Sequence, residues 1–196
     1  MREVKIYLWD MRKLSIDSLL SLLGESEINR FNNVLNIDVK KERICSYFLK
    51  KKYIGEYYLD ENEKPKSRDI EFNVSHSHGV IVIATSNIPI GIDIEKIKEV
   101  KQSLKDYICS EKEIEYCVND EKFFEIWTNK ESLVKCIGIG LREKVDSIPG
   151  LPISGVREYK GRVYRSKTIK YQDFILSITC LGDEEYDVNL EEIEQI

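Results

Sequence analysis

Two acidic side chains stand two residues apart in the segment Gly91-Ile92-Asp93-Ile94-Glu95. In a β-strand, residues two apart point to the same side, so Asp93 and Glu95 would share one face while the neighbouring isoleucines enter a core. Two carboxylates placed in this way repel each other unless a cation lies between them, and oxygen ligands favour Mg²⁺ or Mn²⁺ over zinc. The same spacing also suits a strand with a solvated acidic face. From the spacing alone, both interpretations stand.

A segment further along offers a third carboxylate. The residues from Asp120 to about Gly138 have apolar side chains at spacings of three and four, which predicts a long amphipathic helix. Glu131 and Lys135 lie one turn apart at the edge of its apolar sector. A partly buried carboxylate and amine there suit a metal ligand, or a base, beside a phosphate-binding cation. An ordinary surface Glu–Lys pair has the same spacing.

Both histidines of the chain fall within the polar stretch from Phe72 to Gly79. Hydroxyls, an imidazole and a glycine at the end of a strand can present hydrogen-bond donors to a phosphate, although a hairpin turn with incidental histidines fits equally well. Upstream, Arg43 on a predicted helix and Lys64-Pro65 in a predicted loop offer cations for a phosphorylated ligand. Taken singly, such basic residues are most often solvated.

The elements that must position these residues follow the order strand, helices, strands, and then the same order again. Hydrophobic alternation predicts strands at 4–9, 70–74, 80–84, 90–94, 156–159, 162–168 and 174–180. Capping and helical spacing predict helices from Ser15 to Gly24, from Asp38 to Tyr58, after Ser110 and from Asp120 to about Gly138. We therefore expect an α+β fold of two subdomains, 1–87 and 88–196, with the tail from about residue 183 packing back on the N-terminal half.

The composition excludes several classes of protein. The 196 residues are 42% hydrophobic and 33% charged, which is typical of a globular chain. No apolar stretch is long enough to cross a bilayer and the first residues lack the layout of a signal peptide, so we expect a cytoplasmic protein without a membrane partner. The net charge of −5 argues against nucleic-acid binding. The five scattered cysteines include no Cys-x-x-Cys pair, so reduced thiols are expected.

Four of these segments occur together and in a fixed order. They are Lys64-Pro65, Phe72-Asn73-Val74-Ser75-His76-Ser77, Gly91-Ile92-Asp93-Ile94-Glu95 and Trp127-Thr128-Asn129-Lys130-Glu131-Ser132-Leu133-Val134-Lys135. In the residues of these four segments and in their order, the chain resembles the phosphopantetheinyl transferases of the surfactin-synthetase-activating type. The resemblance runs by motif from about residue 30 to about residue 140. It implies two similar α+β halves related by a pseudo-twofold axis, in a monomer with the ligand between them.

The resemblance also implies an activity and its residues. The enzyme would transfer the phosphopantetheine part of coenzyme A to a serine of an apo acyl or peptidyl carrier protein, releasing adenosine bisphosphate, in fatty acid, polyketide or nonribosomal peptide biosynthesis. Asp93, Glu95 and Glu131 would hold Mg²⁺, with Mn²⁺ as an alternative. Glu131 would also act as the base for the carrier serine, and Lys135 would contact the diphosphate. On this basis we expect Glu131→Gln to abolish transfer and Lys130→Gln to do much less.

For coenzyme A itself, the resemblance implies that Ser75, His76, Lys64 and Arg43 contact the ribose phosphate and neighbouring oxygens. The chain departs from the family pattern at His78, which precedes Gly79 where many relatives have glycine directly after the Ser-His-Ser run. The segment from Ile97 to Glu115 is a candidate carrier surface, because it mixes apolar residues with lysines. Two other functions stay open, namely a metal-dependent phosphodiesterase and a coenzyme A binding module without catalysis.

Overall fold

The computed structural model describes residues 2–12, 14–61, 64–138, 140 and 144–193. The described strands are β1 (Arg2–Asp10), β2 (Tyr58–Leu59), β3 (Pro65–Lys66), β4 (Glu71–Ser77), β5 (Val80–Ser86), β6 (Ile90–Lys96), β7 (Gly155–Tyr159), β8 (Arg162–Tyr171), β9 (Phe174–Leu181) and β10 (Tyr186–Glu192). The α-helices are α1 (Ile16–Leu20), α2 (Glu25–Ile28), α3 (Ile37–Tyr53), α4 (Gln102–Ile108), α5 (Glu111–Tyr116) and α6 (Asp120–Ile137). The prediction of a mixed fold of helices and strands is confirmed.

The strands form two sheets of four strands and one short hairpin. The first sheet has the order β10-β1-β5-β4, the second has the order β6-β9-β8-β7, and β2 pairs with β3. All neighbours are antiparallel except β10 and β1, which run parallel from the pair Arg2 and Tyr186 to the pair Leu8 and Glu192. A strand from the end of the chain thus completes the first sheet.

A single apolar core lies between the two sheets. It is built from alternate residues of β1, β5, β6 and β9, together with the buried ring of Tyr186. The other side chains of β5 pack on the outer face with α3, so this strand is buried on both sides. That double burial explains the unbroken apolar run Val80-Ile81-Val82-Ile83-Ala84. The layers therefore follow the order α3, first sheet, second sheet, α6.

The helix that carries Glu131 and Lys135 has well-defined ends. Asn119, rather than the expected Asp120, is the N-cap of α6, and its side chain accepts a hydrogen bond from the backbone N–H of Lys122. Gly138 ends the helix in the left-handed conformation with φ of 85°. Of the other three predicted helices, all begin close to the expected residue, and the two in the N-terminal part end early, at Leu20 and at Tyr53. Within the described part of the chain, no helix is both long and apolar enough to span a bilayer.

Candidate active site

The two sheets meet along a seam where β4 lies beside β6. Polar side chains of β4 reach across it, because Asn73 Oδ1 and the hydroxyls of Ser75 and Ser77 accept hydrogen bonds from the backbone N–H groups of Ile92, Ile94 and Lys96. Residues two apart on a strand point to one side, and these three therefore form a regular ladder. The polar side chains of β4 thus take the place of a backbone ladder between the two sheets.

The carboxylates of β6 face the same seam. The Ser75 hydroxyl donates to Asp93 Oδ1 at 2.7 Å, and the Ser77 hydroxyl donates to Glu95 Oε2 at 2.7 Å. Asp93 is only 4% exposed, and its second oxygen, Oδ2, is buried without a hydrogen-bond partner. Burial raises the pKa of the Asp93 carboxyl and the negative charge of Glu95 adds to the rise, although Lys135 and Ser75 oppose it.

The helix α6 brings two charged groups to these carboxylates. Lys135 Nζ lies 2.5 Å from Asp93 Oδ1 and 3.0 Å from the hydroxyl of Ser75. Burial raises the pKa of Glu131 to about 7, and the nearby charges of Asp93 and Glu95 add to the rise while Lys135 opposes it. A carboxyl with such a pKa can take up a proton near neutral pH.

A glycine allows the helix to approach the strand this closely. A Cβ atom on Gly91 would lie 2.0 Å from the backbone oxygen of Ser132 and 2.4 Å from the backbone nitrogen of Cys136. No side chain fits in that space, so α6 can pack on β6 only with glycine at this position. The glycine of the Gly-x-Asp-x-Glu motif therefore sets the distance between the strand and the helix that carry the charged groups.

Lys64 lies next to this cluster but contacts the backbone of the helix. Its Nζ donates to the backbone oxygen of Lys135 at 2.6 Å, in the last turn of α6, where carbonyl groups lack helical partners. Burial lowers the pKa of the Lys64 amine, and the charge of Lys66 adds to this effect. Lys64 thus stabilises the end of the helix.

Arg43 and His76 lie on the other face of β4. Because successive strand residues alternate, His76 points towards α3 while Ser75 points towards β6. With Arg43 it lines an open pocket of about 500 Å³. His76 Nδ1 is 3.6 Å from Glu42 Oε2. The structure therefore brings Asp93, Glu95, Glu131, Lys135 and Ser75 together and holds Arg43 and His76 in a separate pocket.

The second histidine belongs to a turn. Ser77 pairs with Val80, which leaves His78 and Gly79 as a two-residue hairpin loop with φ of 46° and 79°. Such a loop needs positive φ at both positions, and glycine at the second position meets that need. The hairpin interpretation is correct for this part of the stretch.

Comparisons with known proteins agree with the motifs. Residues 89–181, which include β6 and α6, match the 4'-phosphopantetheinyl transferase superfamily. The 4'-phosphopantetheinyl transferase gsp of Aneurinibacillus migulanus is 38% identical over 138 residues, which are 67% of this chain and 53% of that protein. This chain belongs to the 4'-phosphopantetheinyl transferase superfamily.

Other relatives in this superfamily match over shorter stretches. The 4'-phosphopantetheinyl transferase Sfp of Bacillus subtilis (strain 168) is 35% identical over 89 residues, which are 42% of this chain and 40% of that protein. The chain spans about half or less of the length of the curated relatives it matches. Among solved structures, the holo-[acyl-carrier-protein] synthase of Thermotoga maritima is 16% identical with a TM-score of 0.37, covering 50% of this chain and 64% of that one.

The side chains expected to bind a metal are of a suitable chemical type. Asp93, Glu95 and Glu131 supply carboxylate oxygens. The buried Asp93 Oδ2 has no hydrogen-bond partner, so a cation could bind there. Lys135 holds the other oxygen of Asp93. As the side chains stand, the described residues include no group of three or more His, Cys, Asp or Glu residues arranged to hold a metal. The donor set therefore fits a hard cation in type, but these side chains do not form a finished site.

Sequence reasoning missed the buried polar side of α6. Lys130 is 0% exposed and its Nζ donates to Glu113 Oε2, to the backbone oxygen of Ile108 and to that of Val145, at 2.7 to 3.0 Å. Asn129 lies beside it and accepts from the buried guanidinium of Arg157 at 2.7 Å. The smaller effect expected of Lys130→Gln on transfer stays a prediction, and the burial of this pair adds an expected loss of stability that the sequence did not indicate.

The sequence also did not identify two cations of the Arg43 pocket. The Arg30 guanidinium lies over the ring of Tyr47 at 5.0 Å, and Lys50 Nζ lies over the ring of Tyr57 at 4.8 Å. One signal was available, because Lys50 lies seven residues after Arg43, two helical turns further along α3.

Proposed function

We propose that this protein transfers the phosphopantetheine part of coenzyme A to a serine of an apo acyl or peptidyl carrier protein. The observation that carries the proposal is the cluster of Asp93, Glu95, Glu131 and Lys135 at the seam of the two sheets. The match of residues 89–181 to the superfamily supports it, since that segment contains all four side chains. The names of the relatives support the same activity.

The reaction joins the carrier serine oxygen to the β-phosphorus of coenzyme A and breaks the bond from that phosphorus to the leaving adenosine bisphosphate. Phosphoryl transfer of this type requires in-line positioning and charge stabilisation more than a nucleophile from the enzyme. Glu131 would accept the serine proton on its carboxylate, and its pKa of about 7 suits that role. The Lys135 amine would stabilise negative charge on the diphosphate.

A divalent cation forms part of the proposal. Asp93, Glu95 and Glu131 would hold Mg²⁺, with Mn²⁺ as an alternative, and Lys135 would then have to leave the Asp93 oxygen that it contacts. When bound, the cation would neutralise charge on the diphosphate. The Asp93 Oδ2 without a hydrogen-bond partner supports this assignment, and so do the pKa values of Asp93 and Glu131, which burial raises and neighbouring carboxylates raise further.

Coenzyme A would extend from this cluster across β4 towards α3. Its ribose phosphate would contact Arg43 and His76 in the Arg43 pocket. Ser75 would lie between that pocket and the carboxylates of Asp93 and Glu95. Lys64 would act mainly by holding the end of α6, as its bond to the Lys135 backbone suggests. The volume of the pocket, about 500 Å³, is in the usual range for a small-ligand site.

The carrier would dock beside Glu95. An apolar groove of about 580 Å³ borders that residue, and α4 contributes Leu104 and Tyr107, which are 45% and 68% exposed. Lys98 and Lys101 line it together with Glu95 and Glu99, and the two lysines would pair with acidic residues of a carrier helix. We expect Leu104→Glu to raise the KM for the carrier about tenfold, equivalent to ~1.4 kcal/mol, without changing coenzyme A affinity.

Val118→Glu is the matched control for that change. Val118 is 79% exposed and lies outside the groove, so its substitution should leave both constants unchanged. Steady-state kinetics with a varied carrier, and calorimetry with coenzyme A, measure the two effects. An equal rise in the carrier KM for both variants would contradict the proposed surface.

The larger arrangement is also a proposal. We propose that residues 1–87 and 88–196 form two halves related by a pseudo-twofold axis, and that the protein acts as a monomer. Each half contributes most of one sheet and one long outer helix, which supports the proposal, and β10 of the second half completes the first sheet. A cytoplasmic location stays a prediction from the sequence.

A single experiment tests the proposed function. The purified protein is incubated with Mg²⁺, coenzyme A and a panel of apo acyl and peptidyl carrier proteins, and each carrier is analysed by intact mass spectrometry. The expected result is the addition of one phosphopantetheine arm, together with one equivalent of adenosine bisphosphate. Cleavage of coenzyme A without carrier labelling would instead identify a phosphodiesterase. Binding of coenzyme A without turnover would identify a binding module.

A further inference from the structure

Two of the five cysteines lie against each other. Cys109 follows α4 and Cys117 follows α5, and their Sγ atoms are 3.6 Å apart. Both are buried, at 4% and 9% exposure. The other thiols, Cys45, Cys136 and Cys180, are also buried, and burial raises the pKa of each to about 12. The pair is thus chemically different from the remaining three.

The backbone fixes the positions of both cysteines. The Cys109 N–H donates to the backbone oxygen of Lys105 at the end of α4, and the Cys117 N–H donates to that of Glu113 at the end of α5. Ser110, directly after Cys109, caps α5 in a capping box with Glu113. The same Glu113 carboxylate accepts a hydrogen bond from the backbone of Gly150 at 2.6 Å. Because these hydrogen bonds fix the segment from Cys109 to Cys117, the folded chain keeps the two sulfurs in contact.

The surroundings favour ionisation of one member of the pair. A hydrogen bond from the Cys109 thiol is the main cause that lowers the pKa of Cys117, and the charges of Lys105 and Lys130 act in the same direction. Burial and Glu113 oppose the effect. The pKa of Cys109 is raised, first by its bond to Cys117 and then by burial. Cys117 is therefore the thiol that ionises first, and the thiolate is the reactive form.

We propose that Cys109 and Cys117 form a redox modification site that closes a reversible intramolecular disulfide by exchange with small disulfides. The Cys117 thiolate attacks one sulfur of the small disulfide, which forms a mixed disulfide and releases one thiolate. Cys109 then loses its proton and attacks the Cys117 sulfur, which displaces the second thiolate. The two cysteines are oxidised by two electrons, the small disulfide is reduced, and the two cysteine protons end on the two released thiols.

Closing the bond cross-links two short helices next to the groove. A disulfide requires the sulfurs to approach from 3.6 Å to about 2.05 Å, through rotation of the two side chains or movement of the ends of α4 and α5. The same short helix α4 carries Leu104 and Tyr107, which form part of the groove beside Glu95. Oxidation would therefore tie the helix that forms one wall of that groove to the end of α5. The site itself does not depend on the proposed transferase activity.

Redox titration of the folded protein tests the proposal. The full chain is equilibrated with mixtures of glutathione and glutathione disulfide, free thiols are alkylated, and the intact mass is measured. We expect the number of free thiols to fall from five to three in oxidising mixtures. Lys112 lies between the two cysteines, so trypsin separates them and a disulfide between them appears as two linked peptides. Reduction should restore five thiols.

Single variants separate the roles of the two sulfurs. Cys109→Ser should accumulate a mixed disulfide with glutathione at Cys117, whereas Cys117→Ser should react much more slowly at Cys109. Cys45→Ala, which leaves the pair intact, should keep the loss of two thiols. The proposal is overturned if the native chain keeps five thiols, if the linkage joins other cysteines, or if the bond forms only in denaturant. The peptide map of the unmodified chain decides these outcomes even where a variant does not fold.

Discussion

At the scale of single residues, the charged side chains of α6 differ in function although they are neighbours in sequence. Lys130 is enclosed and paired with Glu113, so its charge belongs to the interior of the protein. Glu131 and Lys135 point instead to Asp93 at the seam. One helical turn thus carries a structural ion pair on one side and the candidate catalytic groups on the other.

Changing Glu131 to Gln should remove the proposed proton acceptor and one oxygen ligand. We expect kcat for carrier loading to fall by about a hundredfold or more, which is the usual contribution of a general base. The fold should survive, because the carboxamide has nearly the same shape. Carrier loading followed by mass spectrometry and circular dichroism give the two measurements.

Glu121→Gln is the control for this change. Glu121 lies in the first turn of the same helix, roughly 15 Å away along its axis, and pairs at the surface with Lys170. It should keep the full rate. If both variants lose activity equally, the base is not Glu131.

Changing Lys130 to Gln should destabilise the protein. Removing one partner of a buried pair leaves the Glu113 charge uncompensated, which costs about 3–5 kcal/mol in comparable cases. The free energy of unfolding from urea titration measures the loss. Lys170→Gln, which removes an exposed pair with Glu121, should change it by less than about 1 kcal/mol. A stable Lys130 variant would show that the buried pair contributes little.

At the scale of elements, the site depends on how closely α6 approaches β6. Backbone atoms of the helix at Ser132 and Cys136 occupy the space where a side chain on Gly91 would lie. Polar side chains hold the opposite side of the strand, where the seam residues of β4 bind its N–H groups. The strand with Asp93 and Glu95 is therefore held by α6 and by β4 of the first sheet.

Gly91→Ala should push α6 away from β6. Overpacking of this kind costs about 1–3 kcal/mol, and here backbone rather than a flexible side chain must yield. We expect a lower free energy of unfolding and, because Glu131 and Lys135 move relative to Asp93, a lower rate of carrier loading. Gly24→Ala is the control, since a Cβ there meets only the Glu27 carboxylate, at 3.7 Å. Full activity of the Gly91 variant would contradict the role given to this contact.

At the scale of the whole molecule, the main core joins the two sheets. Alternate residues of β1 and β5 on one side meet those of β6 and β9 on the other. The strand β10 adds a second connection, because it follows β9 in the chain and pairs with β1 of the first sheet. Apolar clusters also lie on the outer side of each sheet, but the shared core and β10 join the two sheets. The two halves are therefore expected to unfold together.

The two tryptophans make this cooperativity measurable. Trp9 is buried between the first sheet and α3, and Trp127 lies on α6 and packs against the apolar cluster around this helix. In Trp127→Phe the fluorescence of Trp9 reports the unfolding of the N-terminal half, and in Trp9→Phe the fluorescence of Trp127 reports that of the C-terminal half. Circular dichroism reports the unfolding of the whole chain in both variants. We expect the two urea midpoints to coincide within each variant. A fluorescence midpoint below the circular dichroism midpoint in either variant would show independent unfolding.

The sequence by itself determined the local features of this protein. Alternation and capping depend on neighbours within a few residues, so most strands, the α5 capping box and the face shared by Asp93 and Glu95 could be predicted. Helix ends were less certain, because tertiary contacts decide where α1 and α3 stop. Motif order indicated the family, and the superfamily match agrees with it.

Only the tertiary structure decided which distant residues meet. The contact between Ser75 and Asp93, the enclosure of Lys130 by Glu113 and the approach of Cys109 to Cys117 each depend on how separate elements pack. Side-chain spacing gives the direction of a residue from its own backbone, but a partner from another element is fixed only when the core closes. For that reason the two carboxylates of β6 could be placed on one face from the sequence, whereas their hydroxyl, amine and glycine neighbours could not.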